Sequence, residues 1–439
     1  GAAQDHAFFI YCTMPATANS IYIENFYISA SQYLNKQFFI SLLWKYNNTK
    51  GFAIPRSFLL KVVFVLRGKQ KMIGAGLIIG IIAAVLVLLG NPKNMGFCIA
   101  CFIRDTAGAV GLHQAAAVQY IRPEIIGLVL GAFVIAAVKK EFLPRGGSSP
   151  MTRFVLGFFV MITALVFLGC PFRMILRIAD GDLNAVVGIV GFAVGIFAGV
   201  QFLGRGYSLK RTYSVPVIDG AWLSVIQVVF FALLCAAPAY ILFSESGPGS
   251  MRAPVWISLA AGLIVGALAQ RTRLCMVGGI RDVLLFKDWT LLAGFAAILA
   301  ASLVSNAVLN TMFGGYFKVG FMGQPVAHID GLWNFLSMSA VGLGSVLLGG
   351  CPMRQLILAG EGNSDSAVTV AGFFVGAAFA HNFGLASAAT AVAEHGAITG
   401  GPTLAGKTVT ILALIVMFAI AWLNTRETVA ADTKQKITA

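Results

Sequence analysis

The chain is short of charge. Only 11% of its 439 residues are Asp, Glu, Lys or Arg, while 58% are hydrophobic. A soluble domain carries roughly a quarter charged residues, so a soluble globular domain is excluded. Acidic residues are scarcest, 17 against 31 basic ones, leaving a formal net charge of +14. No basic–aromatic motif of a DNA or RNA binder accompanies that excess, which excludes nucleic acid as a partner. In an apolar chain such an excess reports basic loops on the cytoplasmic side of a membrane. Histidine is sparse too, five in all. Those at 113, 328, 381 and 395 show no metal-ligand spacing, so neither a metal nor another cofactor is expected. His113 falls near the first cysteine motif and is read as structural. Seven cysteines make an odd count with no secreted scaffold around it, which argues against a disulfide framework. No cleavable signal peptide is expected.

What the chain does have is long apolar runs, among them Ile73–Leu89, Val217–Leu242 and Val409–Leu423. About 17–25 apolar residues span a bilayer as a helix. The pattern predicts an all-α polytopic membrane protein with about ten crossings. They lie near 73–90, 124–139, 154–168, 184–203, 218–243, 254–268, 289–310, 332–349, 366–390 and 408–424.

Residues 1–71 read differently. They are rich in Phe, Tyr, Ile, Asn and Ser, and their eight Lys/Arg and two Asp/Glu supply +6 of the net charge. Arg67-Gly68 can be encoded by AGAGGA, a ribosome-binding sequence, three codons before Met72. The expectation is that Met72 is the true start; a real amphipathic leader is the alternative.

From Met72 onward the chain repeats itself. Gly-Phe-Cys98 leads into Ile103-Arg104-Asp105, and Arg-Leu-Cys275 into Ile280-Arg281-Asp282, 177 residues later. Gly169-Cys170-Pro171-Phe172-Arg173 recurs as Gly350-Cys351-Pro352-Met353-Arg354, 181 residues later. Glycine-rich segments frame both pairs. Ala75–Gly80 resembles Ala261–Gly266, and Gly191–Gly195 resembles Gly372–Gly376. The expected organisation is a first repeat at 72–211, a connecting helix and loop at 212–253, a second repeat at 254–424 and a tail at 425–439. Counting crossings puts the basic clusters on one side, with both ends of the 72–439 region cytoplasmic. The loop near Tyr316–Asp330 then falls opposite to its partner near Lys140–Arg153. The halves are therefore inverted, an arrangement that places a central site at the repeat interface.

Proline is tolerated at the first position of a helix. Cys170 and Cys351 are therefore expected at the N-caps of short helices, where exposed N–H groups and the dipole favour anions. Asn94 and Thr272 are candidate caps for the segments carrying Cys98 and Cys275. A lone membrane cysteine is usually a small buried hydrophobe, and Cys12 and Cys235 take that reading. Cys101 lies three residues after Cys98, but its repeat partner is Gly278, so it too is assigned to packing. Cys98, Cys170, Cys275 and Cys351 recur in register and are the candidates for function.

Charges in lipid cost roughly 2.5–3.5 kcal/mol each. Arg104–Asp105 and Arg281–Asp282 either anchor the ends of short helices or face the permeant. Arg173 and Arg354 either supply positive field to an anion or snorkel. Gly401–Thr408 fits the phosphate-loop pattern, but no nucleotide-binding domain surrounds it and it is set aside as chance.

The paired Cys–Arg-Asp and Gly-Cys-Pro-x-Arg motifs resemble the YeeE/YedE family of sulfur-transport membrane proteins, over roughly 72–424, with greatest likeness to its branch tied to selenium metabolism. The resemblance implies an inverted-repeat bundle in which four short, re-entrant, cysteine-bearing helices meet. It also implies a bacterial inner-membrane transporter of a small sulfur or selenium anion, handed along by Cys98, Cys170, Cys275 and Cys351. A cytoplasmic sulfur- or selenium-carrier protein is an expected partner. The activity is transport rather than catalysis. A membrane-embedded sulfur or selenium transferase and a structural subunit with inert thiols are the alternatives.

Overall fold

The computed structural model describes residues 56–392 and 398–438, with side chains described for 68–391 and 398–426. Expectations concerning residues 1–55, Cys12 and His395 lie outside the described residues.

The fold is helical. The first half runs α1 (Arg56–Leu88), α2 (Ile99–Ala109), α3 (Pro123–Val138), α4 (Pro150–Val166), α5 (Pro171–Ala179) and α6 (Leu183–Gly204), followed by α7 (Val217–Ala236). The second half repeats the order as α8 (Val255–Thr272), α9 (Met276–Phe286), α10 (Thr290–Phe313), α11 (Gly331–Leu347), α12 (Pro352–Gly360) and α13 (Ser364–Asn382), followed by α14 (Leu404–Thr438). Nine helical stretches among the described residues are long and apolar enough to cross a membrane. The tenth expected crossing corresponds to α13, whose hydropathy is lowered by Asp365, Ser366, Thr369, His381 and Asn382.

Three details depart from the sequence reading. The helix expected over 218–243 stops at Ala236, because Pro238 has no N–H to continue it. The stretch expected to be helical to 390 ends at Asn382 and passes into a two-stranded ribbon, β3 (Ala388–Val392) with β4 (Ile398–Gly401). A second, shorter ribbon pairs β1 (Arg145–Gly146) with β2 (Tyr213–Ser214). The phosphate-loop look-alike follows β4 at the start of α14. Its Lys407 lies 3.5 Å from Asp330 and over the Trp333 ring, and Thr408 Oγ1 donates to Leu404 O.

Glycine seams join the halves. Gly76 and Gly80 of α1 lie against Gly294 and Ile298 of α10, and Gly127 and Gly131 of α3 against Leu259 and Leu263 of α8. Gly191 and Gly195 of α6 meet Phe335 and Ser339 of α11, while Gly372 and Gly376 of α13 meet Phe154 and Phe158 of α4. In each seam both numbers rise together, so the paired helices run parallel. Every seam also joins one half to the other. Without a hydrophobic drive between helices in lipid, small residues let backbones approach and gain dispersion contact. The repeat-equivalent helices α4 and α11 run antiparallel: Gly344 abuts Val160, while Phe167 and Met338 both abut Gly188. The two halves are thus inverted.

The loops fall into two groups. Leu143 and Arg145 N–H donate to Glu361 and Gly362 carbonyls, and Val215 N–H to Pro144 O, which gathers 139–149, 205–216 and 361–363 on one face. Lys93 Nζ donates to Gly315 O, Lys318 N–H to Asp180 O and Thr390 N–H to Ala327 O, which gathers 89–97, 180–182, 314–330 and 383–392 on the other. The first group carries Lys139, Lys140, Arg145, Arg205 and Arg211 and is called the basic face below.

A Cβ at Gly376 would sit 2.5 Å from Phe158 O, and one at Gly80 2.7 Å from Ile298 O. Gly376→Ala and Gly80→Ala should each force a helix pair apart at a cost of about 1–3 kcal/mol. Thermal unfolding of the detergent-solubilised protein should show lowered midpoints, with Gly204→Ala, which meets nothing within 4 Å, as the unaffected control.

Candidate functional site

All four repeated cysteines are helix N-caps. Cys98 caps α2, Cys170 caps α5, Cys275 caps α9 and Cys351 caps α12, each with extended backbone angles. The first N–H groups of a helix have no partner within it, and here sulfur supplies one. Cys98 Sγ accepts from Cys101 N–H at 3.3 Å, and Cys275 Sγ from Gly278 N–H at 3.4 Å. Asn94 and Thr272 do not cap these helices, contrary to the sequence expectation. The Asn94 amide binds Arg173 and Pro325, and Thr272 Oγ1 turns back to Leu268 O inside α8. Each cysteine directly precedes the first helical residue, whereas Asn94 and Thr272 lie four and three residues further upstream, so the cysteine takes the cap.

The thiols pair within each half. Cys98 and Cys170 hydrogen-bond through their side chains, as do Cys275 and Cys351. The Cys170 sulfur also accepts from Ile99 N–H at 3.3 Å and faces the N–H groups of Ala100 and Arg173. Cys351 correspondingly faces the N–H groups of Met276 and Arg354. Each station is therefore two thiols set between the N-termini of two short helices. All four thiols are buried, and α2 of one station touches α12 of the other.

The sulfur lone pairs are taken up by N–H donors. What remains for a ligand is the S–H proton and the unclaimed helix N–H groups, all of them donors. Such donors are of the kind that can hydrogen-bond an anion. Among the described residues no cluster of His, Cys, Asp and Glu is arranged to hold a metal.

The arginines of the motifs behave differently from one another. Arg104 and Asp105 bind side by side at 2.6 Å, and Arg122 clasps the second Asp105 oxygen at 2.8 Å while donating to Met251 O and Pro248 O. Arg281 and Asp282 repeat the pair at 2.8 Å in a more exposed setting. Arg173 is fully buried and does not snorkel. Its guanidinium reaches Asn94 Oδ1 (2.6 Å), Val326 O (3.2 Å), Leu168 O and the Cys101 sulfur (3.7 Å), neutral acceptors throughout. Arg354 instead holds the Glu361 carboxylate at 3.1 Å.

Cys101, assigned to packing, is fully buried and also stands in the site as an acceptor for Arg173. Cys235 is exposed on α7. His113 stacks on His381 at 4.7 Å and binds Arg104 O. Sequence reasoning passed over Glu361 and Asp180. The signal was present: Arg173 precedes Asp180 by the same seven residues that separate Arg354 from Glu361.

A family profile described as "Sulphur transport" matches residues 271–438, which hold α9 to α14 with both Cys275 and Cys351. The chain is 32% identical over 108 residues to the thiosulfate transporter TsuA of Spirochaeta thermophila, covering 25% of this chain and 31% of that one. It is 30% identical over 104 residues to the thiosulfate transporter TsuA of Escherichia coli, covering 24% of this chain and 28% of that one. Each match spans under a third of the relative's length.

Because the thiols are hydrogen-bonding neighbours within each half, oxidation of the full chain in membranes should bridge Cys98 to Cys170 and Cys275 to Cys351. Peptide mapping that finds Cys98 bridged to Cys275, or Cys170 to Cys351, would contradict the pairing.

Proposed function

We propose that this chain, whose second half matches the sulphur-transport profile and two thiosulfate transporters, is a YeeE/YedE-type protein that carries a small sulfur- or selenium-containing oxyanion across the bacterial inner membrane. The observation that supports this most is the placing of four buried thiols at four helix N-termini, two by two, in inverted halves. A permeant oxyanion trades water for S–H and N–H donors at one station and then at the next. Successive weak sites permit both loading and release. The names of the relatives make thiosulfate the first substrate to test. The basic face is cytoplasmic on this reading. A carrier protein that consumes the anion there would keep the flow inward.

Transfer of sulfur to a cysteine would instead require a proton acceptor beside the nucleophile. The contacts of the four sulfurs are N–H donors and other thiols, with guanidinium groups beyond, which favours passage over covalent chemistry.

The test is uptake of labelled thiosulfate and selenite by cells lacking their own systems. Wild type should take up at least one of them. Cys98→Ala, Cys170→Ala, Cys275→Ala and Cys351→Ala should each lower that uptake about tenfold or more at equal membrane abundance, the loss of roughly one charge-assisted hydrogen bond. Uptake of neither anion by wild type would overturn the proposal, and uptake unaltered in all four variants would remove the thiols from the path.

A further inference from the structure

The two stations are related by the repeat, yet their charges differ. On the basic face Arg354 is not available. Glu361 Oε1 lies 3.1 Å from Arg354 Nη1, and Glu361 Oε2 lies 3.0 Å from Arg273 Nη1. Arg273 also contacts Glu141, which is held in turn by Arg271 at 2.9 Å and by the Gln270 amide at 2.7 Å. Charges alternate from the exposed Arg271 inward to the buried Glu361 and Arg354. Glu361 stands at the C-cap of α12, where the helix dipole disfavours a carboxylate. The two guanidinium groups offset that cost.

On the opposite face the equivalent carboxylate has moved off its arginine. Asp180 is one methylene shorter than Glu361. Its Oδ1 accepts from the Asn306 amide at 3.2 Å, while Arg173 binds only neutral oxygens and a sulfur. Burial pushes the Asp180 carboxyl up to about 7 against the lowering effect of Lys93 and Arg173, with Asp182 adding to the rise.

We propose that Glu361 is a built-in competitor anion: its carboxylate occupies the guanidinium that a permeant oxyanion would otherwise claim at the Cys275–Cys351 station, whereas Arg173, held by neutral acceptors, leaves its positive charge for an anion at the Cys98–Cys170 station. This rests on the transport reading above and deepens it. A carboxylate and an oxyanion seek the same donor fork on arginine. An anion arriving from the Cys98–Cys170 side meets a receptive station first. It then reaches one where an internal carboxylate contends for the same donors and speeds its release. The built-in carboxylate makes the basic face a poor place to load and a good place to leave.

The experiment is calorimetric titration of the purified full chain with thiosulfate, which counts bound anions in detergent where both faces are open. Wild type should bind one per chain. Glu361→Gln, which keeps the shape and removes the charge, should bind two. Asp180→Glu, which restores the reach of the second-half carboxylate, should bind none. One anion in both wild type and Glu361→Gln overturns the competitor while leaving transport standing. Two in wild type overturns it as well. None in wild type but one in Glu361→Gln supports the competitor and removes the open station. None in either overturns both readings. If Glu361→Gln fails to fold, Asp180→Glu decides alone: retention of one anion overturns the proposal. Wild-type affinity should rise about threefold or more between pH 8 and pH 6 as Asp180 takes up its proton. A flat profile would remove Asp180 from the open station.

Discussion

A helix that begins inside a membrane protein begins with unpaired N–H groups, and the bilayer offers no water to satisfy them. This chain meets that demand four times with a cysteine. Sulfur is a weak acceptor, so the N–H groups are only lightly held and stay available to a better one. Serine or aspartate would satisfy the same donors more completely and leave less for a ligand. The choice of cap thus bears on the stability of the short helix and, on the proposed function, on its readiness to receive an anion. The thiols also bring α2 to α5 and α9 to α12, because Cys170, Cys275 and Cys351 each face N–H groups of the neighbouring segment as well as their own.

The scaffold holds these four helix ends in place by close backbone contact. Four parallel seams, each built on glycines, cross from one half to the other. The antiparallel α4 and α11 lie at the centre and lead directly into α5 and α12. Position of the thiols therefore depends on residues far from them in sequence. The buried Arg104–Asp105–Arg122 cluster does comparable work at the far end of α2, fixing it to the loop that precedes α8.

Much of this was legible in the sequence. Proline after Cys170 and Cys351 announces a helix start, and register between the halves singles out four thiols from seven. The glycine segments Ala75–Gly80 and Gly372–Gly376 are visible as repeats, although their partners are not, because the seams these two segments form join residues more than two hundred positions apart. The caps of α2 and α9 were misassigned to Asn94 and Thr272, since side-chain chemistry alone favours oxygen over sulfur and cannot register a distance. The difference between Arg173 and Arg354 was hidden for a similar reason. Both have a carboxylate seven residues on, and one methylene with a different neighbour decides which of them is neutralised.

The cross-paired seams bear on how such a molecule came about. A single repeat, taken by itself, would turn every one of its glycine-lined helix surfaces toward lipid, with no second backbone to meet. Its short helices would have half of a path to line. An ancestor made of one repeat could then have been built only as two copies inserted in opposite directions, each completing the other. Duplication and fusion would convert that mutual dependence into a single chain. Once fused, the two copies were free to diverge, and the different surroundings of Asp180 and Glu361 are the kind of inequality that two identical subunits could never have held.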